Sequence, residues 1–271
     1  MQARSGNLAV RYGPWALVTG ASDGIGAAFA AELAARGLNL ILVARRRERL
    51  EALAARLQAA HRIEAWAVAA DLGTATGVAA VLAELEGREV GLYIAAAGFG
   101  TAGPFVGNSV EQELNMIDVN CRALCALAHP LARAMQARGR GGMVLMSSIV
   151  AFQGVAGSAN YAATKAYVQA LAEGLAAELR PHGVDVLASA PGPVATGFAA
   201  RADMKMGNAA RPEDVARATL AALGRRGTVR PGALARVLGH GLGLLPRGLR
   251  SRILGRIMSG MTRHRNVQTQ T

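Results

Sequence analysis

A phenol and an ammonium stand four residues apart in Tyr161-Ala162-Ala163-Thr164-Lys165. On a helix such positions share a face, so the two groups would sit one turn apart. A free tyrosine, with a pKa of about 10, is a poor base at neutral pH. A neighbouring ammonium favours the phenolate, making Tyr161 a proton donor to a carbonyl or an acceptor from an alcohol. Two serines, Ser147 and Ser148, end an apolar run, with Ser148 thirteen residues before the tyrosine. Successive strand residues face opposite ways, so one of the two can point at the same site. Lysine is otherwise rare: Lys165 and Lys205 are the only two, and arginine supplies the remaining positive charge.

A second group of residues suits phosphate. An apolar run leads straight into Thr19-Gly20-Ala21-Ser22-Asp23-Gly24-Ile25-Gly26, and a helical pattern follows. Glycines permit a sharp turn and let backbone amides approach a pyrophosphate, and the helix N-terminus adds a favourable dipole. The spacing is Gly-x-x-x-Gly-x-Gly, not the dinucleotide fingerprint Gly-x-Gly-x-x-Gly. The next apolar run ends in Val43-Ala44-Arg45-Arg46-Arg47, with no acid before Glu48. A carboxylate there would bind a ribose 2′-hydroxyl, whereas Arg45 and Arg46 suit a 2′-phosphate. These residues favour NADP(H) over NAD(H). Asp71-Leu72 ends a third run, where the carboxylate is either a turn cap or an acceptor for an adenine amino group.

The elements that must position these residues alternate. Trp15–Thr19, Leu38–Ala44, Ile63–Ala69, Gly91–Ala97, Met143–Ser147 and Val184–Ser189 read as strands, continuous apolar runs of the kind buried on both faces. Ile25–Arg36, Arg47–Ala60, Ser109–Arg138 and Tyr161–Arg180 read as helices, the third with an expected break near Pro130, and another helix opens at Arg211-Pro212-Glu213-Asp214. The pattern predicts an α/β fold: a Rossmann-type doubly wound parallel sheet flanked by helices, with a C-terminal helical extension. Residues 1–232 would form the dinucleotide-binding catalytic domain, and residues 233–271 an amphipathic basic extension of it.

In this order, Thr-Gly-x-x-x-Gly-Ile-Gly, a strand-end serine and Tyr-x-x-x-Lys resemble the short-chain dehydrogenase/reductase family, over about Gly13 to Gly232. The resemblance implies that Ser148 polarises the substrate oxygen, Tyr161 transfers the proton, and Lys165 holds the nicotinamide ribose and lowers the tyrosine pKa. It selects Ser148 over Ser147. It implies that Asn120, in Asp118-Val119-Asn120, holds a water in a relay behind Lys165. Pro191-Gly192-Pro193-Val194-Ala195-Thr196 resembles the family's loop after the sixth strand, where Val194 and Thr196 would orient the nicotinamide carboxamide. Ala97 and Gly98 would line the cofactor, but Ala95-Ala96-Ala97-Gly98 stands where the family usually has Asn-Asn-Ala-Gly. Altered local support of the sheet is expected there. Tyr12-Gly13-Pro14-Trp15 and Gly98-Phe99-Gly100-Thr101 resemble the branch containing hydroxysteroid dehydrogenases and 3-ketoacyl reductases. That branch implies a hydrophobic carbonyl or alcohol substrate, with Gln153 and Ser158 as candidate pocket residues. Homo-oligomers are expected, through the Asn120 and Tyr161 helices.

The remaining features set bounds. The chain has 271 residues, 52% of them hydrophobic, enough for one large core. Its formal charge of +12 is uneven: all 18 acids lie at or before Asp214, while Val215 to Thr271 holds 11 arginines and no acid. Basicity alone, without a recognition motif, does not indicate nucleic acid. In the tail, Leu249, Ile253, Ile257 and Met261 recur at i, i+4, giving an apolar face that could pack on the enzyme, close the substrate site or lie on a membrane. No signal-peptide pattern or apolar span of about 18 residues is seen, so the expected compartment is the cytoplasm, with peripheral membrane contact an option. Cys121 and Cys125, at i and i+4, are poorly placed for a disulfide, and no metal ligands cluster near them. A catalytically silent NADP-binding sensor or scaffold, and a membrane-binding module, are the alternatives to an active enzyme.

Overall fold

A computed structural model of the chain describes residues 8–197, 209–241 and 245–268. Seven parallel strands form one sheet: β1 (Trp15–Thr19), β2 (Asn39–Ala44), β3 (Ala65–Ala69), β4 (Val90–Ala95), β5 (Gly141–Met146), β6 (Val184–Ser189) and β7 (Thr228–Val229), in the order β3-β2-β1-β4-β5-β6-β7. The chain builds outward from β1 through β2 to β3, then returns to place β4 on the other side of β1. Thr19 is consequently paired with both Val43 and Ala95. At such a reversal the connections leave in opposite directions, opening a crevice beyond the strand ends.

The apolar runs explain the burial. Every residue of β4 and β5 is buried. One core layer packs the sheet against α1 (Leu8–Tyr12), α2 (Gly24–Ala34), α3 (Arg47–His61) and α8 (Pro212–Ala222). The other packs it against α4 (Ala75–Leu85), α6 (Leu124–Arg138) and α7 (Ala159–Leu179). Two further helices, α9 (Ala233–Gly241) and α10 (Arg247–Gln268), close the described chain. Leu254 of α10 is buried with Val150, Val155 and Ala162, so this part of the tail packs against the segment carrying the candidate catalytic residues.

Two sequence expectations need correction. The two-residue strand β7 has no apolar run of its own, and it gains its place by pairing with Ala188 and Ser189. The long helix does not break at Pro130. It runs as α5 (Val110–Ile117), a π-helical segment Asp118–Ala123, and α6, with Pro130 inside α6. Pro130 sits on the exposed face, where water can meet the carbonyl freed one turn earlier. The irregularity falls instead around Asn120, in keeping with the frequent use of π-turns at functional sites.

Tyr12-Gly13-Pro14-Trp15 lies at the opposite end of the sheet from the crevice. The buried Tyr12 donates a 2.7 Å hydrogen bond to Asp185 of β6, which also receives Arg11. Tyr12→Phe should therefore destabilise the fold by about 1–3 kcal/mol in urea unfolding, because it leaves a half-buried carboxylate short of a donor. Cofactor affinity should not change; a weakened cofactor site with unaltered stability would contradict this assignment.

Candidate active site

The turn between β1 and α2 is close-packed. Gly20 and Gly24 have φ of +69° and +54°, which side chains disfavour. A Cβ at Gly20 would lie 2.8 Å from the Ala96 carbonyl oxygen, and one at Gly24 would lie 2.7 Å from Thr196 Cγ2. One at Gly26 would collide with the Gly20 carbonyl. The Asp23 carboxylate caps α2 by accepting from the Gly24 amide at 2.7 Å. The Arg46 guanidinium crosses from the end of β2, donates to Ser22 Oγ at 3.0 Å and lies 3.7 Å from Asp23. Arg47 turns away to pair with Glu51, leaving Arg45 and Arg46 on the cleft wall. Asp71 and Leu72 form the next part of that wall. Asp71 Oδ1 accepts from the Gly73 amide at 2.9 Å, so the carboxylate also serves as a turn cap.

A second cleft adjoins this one, and the two share Ile25, Ala96, Gly98 and Thr196. Ser148, Tyr161 and Lys165 line the second cleft beside Pro191, Gly192 and Val194. The Ile149 amide donates to the Pro191 carbonyl at 3.1 Å, and a bridge from Val194 to Ala210 pins the loop on its other side. The outer walls are aliphatic: Val150 and Val155 face Leu234 and Leu238 of α9, and Leu254 and Ile257 of α10. Gln153 and Ser158 do not line the cleft. Gln153 donates to the Ile149 carbonyl and Ser158 to the Thr101 carbonyl, which spends them on the backbone.

Ser148 and Tyr161 line this cleft together, and the serine acts to lower the pKa of the phenol. Ser147 instead donates to the Lys165 carbonyl at 3.2 Å. Lys165 Nζ donates to the Met146 carbonyl at 2.8 Å and lies 5.8 Å from the centre of the Tyr161 ring. Burial raises the phenol to about 12, with Ser148 acting in the opposite direction. Burial is thus the dominant influence on the phenol in the protein alone, since it disfavours phenolate. Burial also brings Lys165 down to about 8, partly offset by Cys121.

Asn120 lies behind this group, in neither cleft, and is 1% exposed. Its Oδ1 accepts from the Phe99 amide at 3.1 Å, and its Nδ2 donates to the Phe99 carbonyl at 2.9 Å and to Thr164 Oγ1 at 3.0 Å. The side chain thus ties the strand end after β4 to α7. Beside it, Cys121 Sγ reaches toward the Thr164 carbonyl, and Cys125 is exposed; both are free thiols. Among the described residues no group of histidines, cysteines and acids could hold a metal ion.

Two residues have structural work here to which the sequence assigned no role. Thr19 Oγ1 accepts from the Ala97 amide at 3.2 Å and is 3.4 Å from the Ile94 carbonyl, supplying direct support to the segment after β4. Glu113 reads as an ordinary first-turn acid of α5, yet it is buried. Its Oε1 accepts from Thr101 at 2.7 Å and Asn108 at 2.9 Å, and its Oε2 from Asn160, next to Tyr161, at 2.6 Å.

The profile of the short chain dehydrogenase family matches residues 14–207. The very-long-chain 3-oxoacyl-CoA reductase-B of Danio rerio is 31% identical over 193 residues, covering 69% of this chain and 62% of that relative. A solved 7beta-hydroxysteroid dehydrogenase has a TM-score of 0.85 at 27% identity, covering 92% of this chain and 99% of that one. A short-chain dehydrogenase from Sphingobium yanoikuyae in complex with NADPH has a TM-score of 0.77 at 35% identity, covering 85% and 94%. Against curated relatives the chain spans between 58% and 68% of their length.

Glu113→Ala should lower stability by about 2–4 kcal/mol, because it strands three donors that now share one buried carboxylate. Urea unfolding checks this, and a change below about 0.5 kcal/mol would show that the three contacts are incidental.

Proposed function

The chain belongs to the short-chain dehydrogenase family, and from that membership we propose that it is an NADP(H)-dependent oxidoreductase interconverting a hydrophobic ketone and its secondary alcohol. The observation that carries this reading is that Ser148, Tyr161 and Lys165 together line an aliphatic cleft that adjoins a glycine-lined one. The glycine-lined cleft suits a dinucleotide. Its turn leaves no room for side chains at Gly20 and Gly24, α2 presents its N-terminus, and Arg45 and Arg46 stand where a 2′-phosphate needs cations. Asp71 and Leu72 would meet the adenine end; Ala97, Gly98, Val194 and Thr196 would meet the nicotinamide end.

When bound, the nicotinamide supplies or takes the hydride. The protein's own groups manage the proton. Ser148 would hydrogen-bond the substrate oxygen, and Tyr161 would deliver its proton to that oxygen during reduction or remove it during oxidation. Lys165, positively charged at neutral pH, would hold ribose hydroxyls and favour phenolate. Asn120 would keep the Phe99 backbone and α7 in register with one another. The substrate class follows from Val150, Val155, Leu234, Leu238, Leu254 and Ile257, which offer apolar contact around one polar centre. The tail from residue 233 would act as part of the catalytic domain. Exposed Val110, Leu114 and Ile117 on α5, and Tyr167 on α7, support a homo-oligomer through these helices.

Purified protein should consume NADPH in the presence of steroid or ketoacyl substrates. Tight NADPH binding without turnover of any ketone or alcohol would favour a cofactor-binding sensor. Replacing both Arg45 and Arg46 with alanine should weaken NADPH binding about tenfold or more, since each charge-assisted contact contributes roughly 1.5–3 kcal/mol. NADH binding should change far less, and an equal loss for both cofactors would remove the 2′-phosphate argument.

The pH dependence follows from the phenol. Reduction consumes the protonated form, which burial preserves up to about 12, whereas oxidation needs phenolate. Alcohol oxidation should therefore rise with pH, and Lys165→Met should displace that rise to higher pH. An unchanged profile in the variant would show that the ammonium does not act on Tyr161.

A further inference from the structure

We infer that the mouth of the aliphatic cleft docks on an anionic lipid bilayer, so that a membrane-dissolved substrate enters between α9 and α10. This rests on reading that cleft as the substrate site. Leu234 and Ile257 both line the cleft yet remain 41% and 38% exposed, which places them at its edge. Val237, 70% exposed, and Leu249, 43% exposed, extend the apolar surface outward along the same two helices.

Cations border this surface. At 100° per residue, Leu249 falls within about 60° of Arg252 and Arg256 on α10, while Leu254 turns in toward Val150 and Val155. Arg247, Arg252 and Arg256 are exposed, and no ion pair among the described residues involves them. From Val215 to Thr271 the sequence has 11 arginines and no acid. A helix edge with leucine or isoleucine beside arginine lies in the interface of an anionic membrane, joining apolar burial to charge attraction. No helix among the described residues is long and apolar enough to cross the bilayer, so contact would be peripheral. A second copy is the weaker fit, since it would oppose one arginine-rich face to another. Nucleic acid leaves the exposed Val237 and Leu249 without a partner.

The test is flotation of the full chain with vesicles of phosphatidylcholine alone, or with about 30% phosphatidylglycerol. The protein should float with the anionic vesicles only and be released by about 0.5 M NaCl. The Arg252→Glu/Arg256→Glu double variant, and Val237→Glu alone, should each lower binding about tenfold. Each should keep NADPH affinity and turnover of a water-soluble ketone while losing turnover of a ketone presented in anionic vesicles. Absence of binding to anionic vesicles, or equal binding by the variants, would overturn the inference. So would tighter retention on duplex DNA, or a self-association abolished by the same substitutions. Flotation does not depend on catalysis, so it separates failure of the docking surface from failure of the proposed activity.

Discussion

The site depends on how closely the backbone at Gly98 is approached from two directions. A Cβ there would lie 3.0 Å from Asn120 Oδ1 and 3.4 Å from Lys165 Nζ. The end of β4 is therefore held between a buried amide and a buried ammonium. The proton-handling residues are joined to this contact by a chain of hydrogen bonds. Asn120 reaches Phe99 from the π-helical segment, Thr164 joins Asn120 to α7, and α7 carries Tyr161 and Lys165. Lys165 in turn anchors to Met146, two residues before Ser148. A bare backbone at one position lets three elements converge on one reaction centre.

Convergence in an apolar setting has an electrostatic cost. Burial pushes the phenol up and the ammonium down, toward neutral forms of both. The tyrosine thus rests as an acid, suited to giving a proton. Ser148 and any positive charge brought alongside work against burial and make phenolate reachable. The same seclusion is completed by the tail, because Leu254 packs against Val150, Val155 and Ala162. In this arrangement α10 belongs to the wall of the reaction chamber, and its arginine-bearing edge is left outside.

Much of this was legible in the residues themselves. Six of the seven strands are apolar runs, but only β1, β2, β4, β5 and β6 are largely buried; β3, expected to be buried on both faces, lies at the sheet edge with Val68 buried and Trp66 exposed. The glycine turn, the arginines after β2 and the Tyr–Lys spacing are local patterns, and the structure brings them to two adjoining clefts. What escaped depends on tertiary contacts. β7 exists only by pairing with β6, Thr19 matters because Ala97 folds back over it, and Glu113 looks like a solvated helix acid until Asn160 arrives from 47 residues away. Pro130 misled for a related reason: proline usually disrupts a helix, but an exposed face can tolerate the freed carbonyl. The pKa of Tyr161 depends on burial, which spacing alone does not encode.

The most direct test compares single-turnover ketone reduction by the wild type and Tyr161→Phe with NADPH saturating and its affinity measured in parallel. The substitution keeps the ring and removes the transferable proton. The account predicts a loss of about 100-fold or more in the chemical step with NADPH affinity preserved. A variant that reduces the ketone at a rate near wild type would contradict the assignment of Tyr161 as the proton donor, and with it the reaction centre built around Gly98.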